Sequence, residues 1–127
     1  MISIENQVIN EIVTALSTGY PGTTVGSEYT RTTAKFPFVE VVEMDNSVYK
    51  AASYLSQIEV MAQLTYEIQI FSNKKSGRKA ECKKIAAIVD GVMESLGFYR
   101  MMLNQVLNYE DATVYRMVGR WQKIQGK

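Results

Sequence analysis

Eight residues in the middle of the chain, Leu64-Thr65-Tyr66-Glu67-Ile68-Gln69-Ile70-Phe71, alternate between apolar and polar. At a period of two, Leu64, Tyr66, Ile68 and Ile70 share one face of a strand, and that face must be covered by another layer. The cover follows directly. After the polar turn Ser72–Gly77, the positions Cys82, Ile85, Ile88, Val89, Val92, Met93 and Leu96 form one stripe of a helix running to about Leu96. Ser76 is the predicted N-cap, and Gly97 supplies the left-handed residue that ends the helix. This strand–turn–helix unit limits the chain to folds in which helices lie on a sheet.

The flanking segments fit the same plan. Ile4, Val8, Ile9, Ile12, Val13 and Leu16 recur at helical spacing, with Ser3 as predicted N-cap and Gly19 as the stop before Tyr20-Pro21-Gly22. Residues 23–32 are polar and Thr-rich, as in a short or edge strand, with Gly26 read as a bulge. Phe38–Met44 is rich in strand formers and starts after Pro37. Tyr99–Leu107 and Thr113–Ile124 read as two closing strands, the latter with Arg116 and Arg120 on one face, suited to a solvent-facing edge or a neighbouring subunit. The eighteen residues 45–62 are too long for an ordinary connection and too apolar for a pure linker, since they carry Tyr49, Tyr54 and Leu55; they read as a functional loop or as a short extra helix packed on the core, which Ala51-Ala52 and Leu55 permit. The predicted order is α β β, long loop, β α β β. Residues 1–127 then form a single α+β domain of two layers, a largely antiparallel or mixed sheet with two helices on one face.

Residue usage removes whole classes of chemistry. With no His there is no Ser-His-Asp or Cys-His machinery, and with Cys82 alone there is no intrachain disulfide or thiolate zinc cluster. Glu40 and Glu43 fall on opposite faces of a strand, Glu110 and Asp111 in a turn, and Asp90 and Glu94 on the outer face of a helix. None of these pairs makes an acid–base site. Gly77 stands alone in its turn, without the further glycine and the Lys-Ser/Thr pair of a phosphate loop. The expectation is a protein that is not an enzyme and carries no cofactor or metal. The N-terminus lacks the basic start and apolar run of a signal peptide, and no stretch approaches the roughly 18 apolar residues of a membrane span. A cytoplasmic setting without membrane contact is therefore expected.

The net charge of +1 hides a division. Residues 1–73 carry three basic against eight acidic residues, a net of −5, and residues 74–127 carry eleven against five, a net of +6. The basic excess concentrates in Lys74, Lys75, Arg78, Lys79, Lys83 and Lys84, opposed only by Glu81. On a helix reaching back that far, Lys75, Lys79 and Lys83 share one face. Such a patch suits an acidic protein surface or phosphates, but it has no interleaved aromatics and no groove-reading module.

Three stretches resemble the tail terminator (tail completion, or head–tail joining) proteins of long-tailed bacteriophages and prophages. They are Leu64–Asn73 running into KKSGRKAECKKI (Lys74–Ile85), Asp90-Gly91-Val92-Met93 through Leu96-Gly97-Phe98 with Arg100, and Asn108–Arg116 continuing to Arg120-Trp121. The resemblance implies a structural virion protein of the tail and neck, assembled in the host cytoplasm. It would form a homohexameric ring that caps the tail tube protein and joins the head-connector or neck protein, with DNA passing through the channel without specific recognition. It further implies that the loop at 45–62 is mobile in the free subunit and orders in the ring. The candidate interface residues are then Tyr49, Tyr54, Leu55, Lys74, Lys75, Arg78, Lys79, Lys83, Arg116 and Arg120. The competing expectation is a small cytoplasmic nucleic-acid-binding domain using the basic helix 74–84.

Overall fold

A computed structural model describes residues 1–28, 35–49, 61–107 and 111–126. Their elements run α1 (Glu5–Gly19), β1 (Thr24–Gly26), β2 (Phe38–Val48), β3 (Met61–Ser72), α2 (Arg78–Ser95), β4 (Tyr99–Gln105) and β5 (Tyr115–Gly126). The five strands form one open sheet in the order β1-β2-β3-β5-β4. β1 pairs parallel with β2 and the other pairs are antiparallel. Both helices pack on one face, so the fold is α+β in two layers, as the strand–turn–helix unit predicts.

The alternating strand is the centre of the sheet, paired along its whole length with β5 and over most of it with β2. Its apolar face (Leu64, Tyr66, Ile68, Ile70) is fully buried, with Val39 and Val41 on one side and Met117 and Trp121 on the other. α1 covers this face with Val8, Ile12 and Leu16, and α2 with Cys82, Ile85, Ala86, Val89 and Met93. Fully burying a large apolar side chain contributes about 1.5–3 kcal/mol. Three such side chains on α1 and more on α2 therefore outweigh the weak caps at the helix starts.

Those caps differ from expectation. α1 begins at Glu5 with Ile4 as N-cap, and α2 at Arg78 with Gly77 as N-cap; neither has a side-chain cap bond, so Ser3 and Ser76 do not serve. Ile2 is buried instead, which carries the chain past Ser3 in a direction set by packing. Val13 is 44% exposed and lies outside the apolar stripe of α1. The predicted stop of α2 is present: Gly97 has φ 88°, Phe98 N donates to Met93 O at 2.9 Å and Gly97 N to Glu94 O at 2.9 Å, a Schellman closure. Gly26 is not a bulge. It ends β1, where an added Cβ would lie 2.9 Å from Phe38 Cζ. The sheet's irregularities are instead between Glu43 and Asp45 and between Arg100 and Met102.

The long loop is shorter than 45–62. Asp45–Val48 continue β2 and Met61–Ala62 begin β3, paired through Asp45↔Thr65 to Val48↔Ala62. The bulge at Met44 shifts the register, so the apolar–polar pattern that marks the strand stops there although the hydrogen-bond ladder continues. Tyr49 N still donates to Met61 O at 2.9 Å. Tyr54 and Leu55, and the question of mobility for 50–60, lie outside the described residues.

Candidate interaction surface

Basic residues gather at one end of the sheet. β3 stops at Ser72, Lys74 and Lys75 stand exposed in the turn, and Gly77 at φ 84° reverses the chain into α2. That left-handed conformation strains any residue with a Cβ. Because α2 starts at Arg78, Lys75 does not share a helical face with Lys79 and Lys83; both of those, and Lys84, are exposed. The one carboxylate in this stretch, Glu81, is engaged inside the domain. Ser72 Oγ donates to its Oε1 and Tyr20 OH to its Oε2, each at 2.7 Å, tying α2 to β3 and to the end of α1. The bond to Glu81, helped by desolvation, holds the Tyr20 phenol above its ordinary pKa.

Beside this turn, the end of β4 and the start of β5 enclose a cavity of about 350 Å³ with Arg78 and Arg116 on its wall. Gln105, Val106, Leu107, Ala112, Val114 and Tyr115 line the remainder. Arg116 Nε donates to Gln69 Oε1 at 2.8 Å. Among the described residues neither arginine forms an ion pair. Cys82 lies behind Tyr115, with its Sγ 3.9 Å from Tyr115 O and Ile70 O, and burial pushes its thiol up to about 12. It is not a nucleophile at neutral pH.

The sheet face away from the helices carries a polar ladder. Arg120 meets Glu67 Oε2 through both Nε and Nη2 at 3.0 Å, and Gln69 Nε2 donates to Glu67 Oε1 at 3.0 Å. Gln122 Nε2 donates to Thr65 Oγ1 at 3.2 Å, and Tyr99 OH donates to Gln122 Oε1. Thr65, Glu67 and Gln69 are buried although nothing in the helix layer touches this face. They belong to the middle strand, and side chains of β2 and β5 flank them. Arg116 and Arg120 are therefore one strand in from the edge, which is β4, and Arg120 is engaged within the chain.

Away from the Ser72 end, acidic groups gather among the described residues. The pairing Val48↔Ala62 and Met61↔Gly126 places Tyr49 at the opposite end, half-buried, far from Lys74 along β3. Glu5, Glu43 and Asp45 cluster about midway along the sheet, and burial with the neighbouring Glu5 raises the Glu43 carboxyl despite the bond from Asn46. Asn46 Nδ2 donates to Glu43 Oε1 at 3.0 Å and to Ile2 O at 2.8 Å. Among the described residues, Lys123 Nζ donates to Leu96 O, and Arg100 pairs with Asp90 Oδ2 at 3.1 Å.

Of the candidate interface residues, the fold brings Lys74, Lys75, Arg78, Lys79 and Arg116 to one end, leaves Lys83 further along α2, and sets Tyr49 and Arg120 apart. The cavity's apolar wall escaped sequence reading because it joins residues from two strands. Asp90 also differs from expectation. It is not on the outer face of α2, for its Oδ1 accepts from Trp121 Nε1 at 3.0 Å. Glu40 and Glu43 do occupy opposite faces. Among the described residues no group of three or more acidic or sulfur ligands could hold a metal, and no helix is long and apolar enough to cross a membrane. No protein-family model and no curated protein matches the chain.

Proposed function

We propose that this chain is a structural assembly protein of a long-tailed phage or prophage. It would close into a homohexameric ring, cap the tail tube protein and join the head-connector or neck protein, as a tail terminator does. The observation that carries the reading is the separation of charge along the sheet. Lys74, Lys75, Arg78 and Lys79 stand at the Ser72 end, whereas Glu5, Glu43 and Asp45 gather about midway along the sheet, where Glu43 pairs with Tyr66 and Asp45 with Thr65. Unlike surfaces on one subunit favour head-to-tail contacts, and such heterologous contacts close into rings when the rotation permits. The strand–basic turn–helix sequence that carries the resemblance to tail terminators is also the segment that presents the basic end.

In this role the protein belongs to the tail and neck of the virion and passes through the host cytoplasm during assembly. Its work is done by surfaces, so it needs neither catalytic residues nor a cofactor, and DNA crosses the channel without being read. Light scattering after size exclusion, with negative-stain images of the protein mixed with cognate tail tubes, tests the reading. Rings of about six subunits on tube ends are expected. A chain that stays monomeric at high concentration and leaves tube ends bare refutes it. Rings that form equally well at low and high salt would refute the electrostatic part, because exposed charges are screened beyond a Debye length of about 10 Å at 0.1 M salt.

A further inference from the structure

We infer that β4 pairs with β4 of a second copy of this chain, antiparallel about a two-fold axis at Asn104, so that two five-stranded sheets become one. Among the described residues the sheet has two edges, and β4 is the longer, seven residues against the three of β1. Its outer side is open. Tyr99 and Met101 are 58% and 50% exposed, Leu107 just beyond the strand is 62% exposed, and Asn104 and Gln105 are exposed as well. An edge strand presents unpaired N–H and C=O groups, and natural proteins blunt such edges with charge, proline or a bulge. β4 has no proline. Its one charge, Arg100, is paired with Asp90 at 3.1 Å, and its bulge lies between Arg100 and Met102, which leaves 102–106 regular.

The ladder with β5 fixes which groups point outward. Val106 N donates to Arg116 O at 3.0 Å, so Asn104 and Val106 turn their backbone groups toward β5, and Leu103 and Gln105 turn theirs away. Groups spaced in this way are satisfied by another extended chain. A copy of β4 does so in register: with Asn104 on the axis, Leu103 of each copy exchanges bonds with Gln105 of the other. The side chains match without conflict. Met102 meets Val106 of the other copy, Asn104 meets Asn104, whose amides both donate and accept, and Arg100 lies outside the paired stretch. This self-match in an uncharged stretch selects a second copy over a charged partner. The junction is short, in the class below about 1,200 Å² in all, so the dimer dissociates on dilution. It does not rest on ring formation, since it uses backbone groups and uncharged side chains, whereas contacts between oppositely charged surfaces weaken with salt.

Sedimentation velocity of the full-length protein over a range of concentrations tests the pairing, at low salt and at about 1 M, where the Debye length falls to about 3 Å. A monomer–dimer equilibrium that high salt does not weaken is expected. Asn104→Lys changes an exposed position, so it should keep the parent's melting temperature while weakening the dimer about fivefold at low salt, because two ammonium groups then face each other across the axis. Asn104→Cys should form a covalent dimer on mild oxidation, since facing Cβ atoms in such a pair lie about 4.5–5.5 Å apart. Thr18→Cys, exposed on α1, should not, and the parent controls for the buried Cys82. A parent that stays monomeric at millimolar concentration would overturn the inference and leave the edge to a strand of another protein. So would Asn104→Cys cross-linking no faster than Thr18→Cys, or Asn104→Lys dimerising like the parent. Larger assemblies that fall to dimers in high salt support both this pairing and the ring; assemblies that fall to monomers keep the ring and overturn the pairing.

Discussion

Replacing Gly119 with alanine puts one methyl group where the sheet meets its largest buried side chain. A Cβ at that position lies 2.5 Å from Trp121 Cζ3, closer still to Cη2, and 3.0 Å from Leu103 Cδ1. The indole cannot step aside. It is fully buried, and its Nε1 is held by Asp90 Oδ1 at 3.0 Å. Adding a methyl to a closed core costs about 1–3 kcal/mol, and the depth of this overlap puts the cost at the upper end, about 3. Alanine also recovers about 0.5–1 kcal/mol of the backbone entropy that glycine loses in a strand. The net expectation is a loss of about 2 kcal/mol. With an unfolding entropy of roughly 2.1 cal/mol/K per residue, or about 270 cal/mol/K for 127 residues, the melting temperature falls by about 7 °C. Trp121 is the only tryptophan, so its fluorescence reports this site directly, and far-UV circular dichroism reports the whole domain. In a double-mutant cycle with Trp121→Phe, Gly119→Ala should cost less than in the parent, because the overlapping ring atoms are gone. A Gly119→Ala protein that melts at or above the parent temperature would show that the ring has room to shift, and the packing argument would fail.

Two further perturbations test other joints of the structure. Asp90→Ala leaves the buried Trp121 N–H without an acceptor and should cost about 1–3 kcal/mol, whereas Asp90→Asn keeps an acceptor and should stay within about 1 kcal/mol; urea midpoints of the two variants measure the difference. Glu43 is held protonated more readily in the folded chain than its ordinary value of 4.5 allows, chiefly by burial. Its ionisation therefore destabilises the fold above its raised pKa, and the penalty disappears below 4.5. Glu43→Gln, which keeps an oxygen for Asn46, should be more stable than the parent at neutral pH, with the gap closing as the pH falls; a gap that is constant with pH would contradict this.

The parts of the fold legible in the sequence are those governed by local periodicity. Val8, Ile12 and Leu16 repeat every four residues and Leu64 to Ile70 every two, so each declares its element without help from the rest of the chain. Gly97 declares its helix end for the same reason, since its left-handed φ is a local need. Where tertiary packing governs, local signals fail. Ser76 is a good cap by type, yet the turn into α2 is made by Gly77, and Asp45–Val48 lose their apolar alternation at a bulge while keeping their ladder.

What the sequence alone determined is the two-layer α+β class, the element order and the basic turn at Lys74–Lys79, because each follows from neighbours within about twenty residues. Only the tertiary structure decided which charges remain available. Glu67 and Arg120 are 53 residues apart and neutralise each other on the open face. Asp90 turns inward to a tryptophan 31 residues away. Arg116 is held by Gln69, 47 residues away. Coulomb and hydrogen-bond energies depend on distances through space, and pairing across a sheet sets those distances in ways that spacing along a chain does not encode.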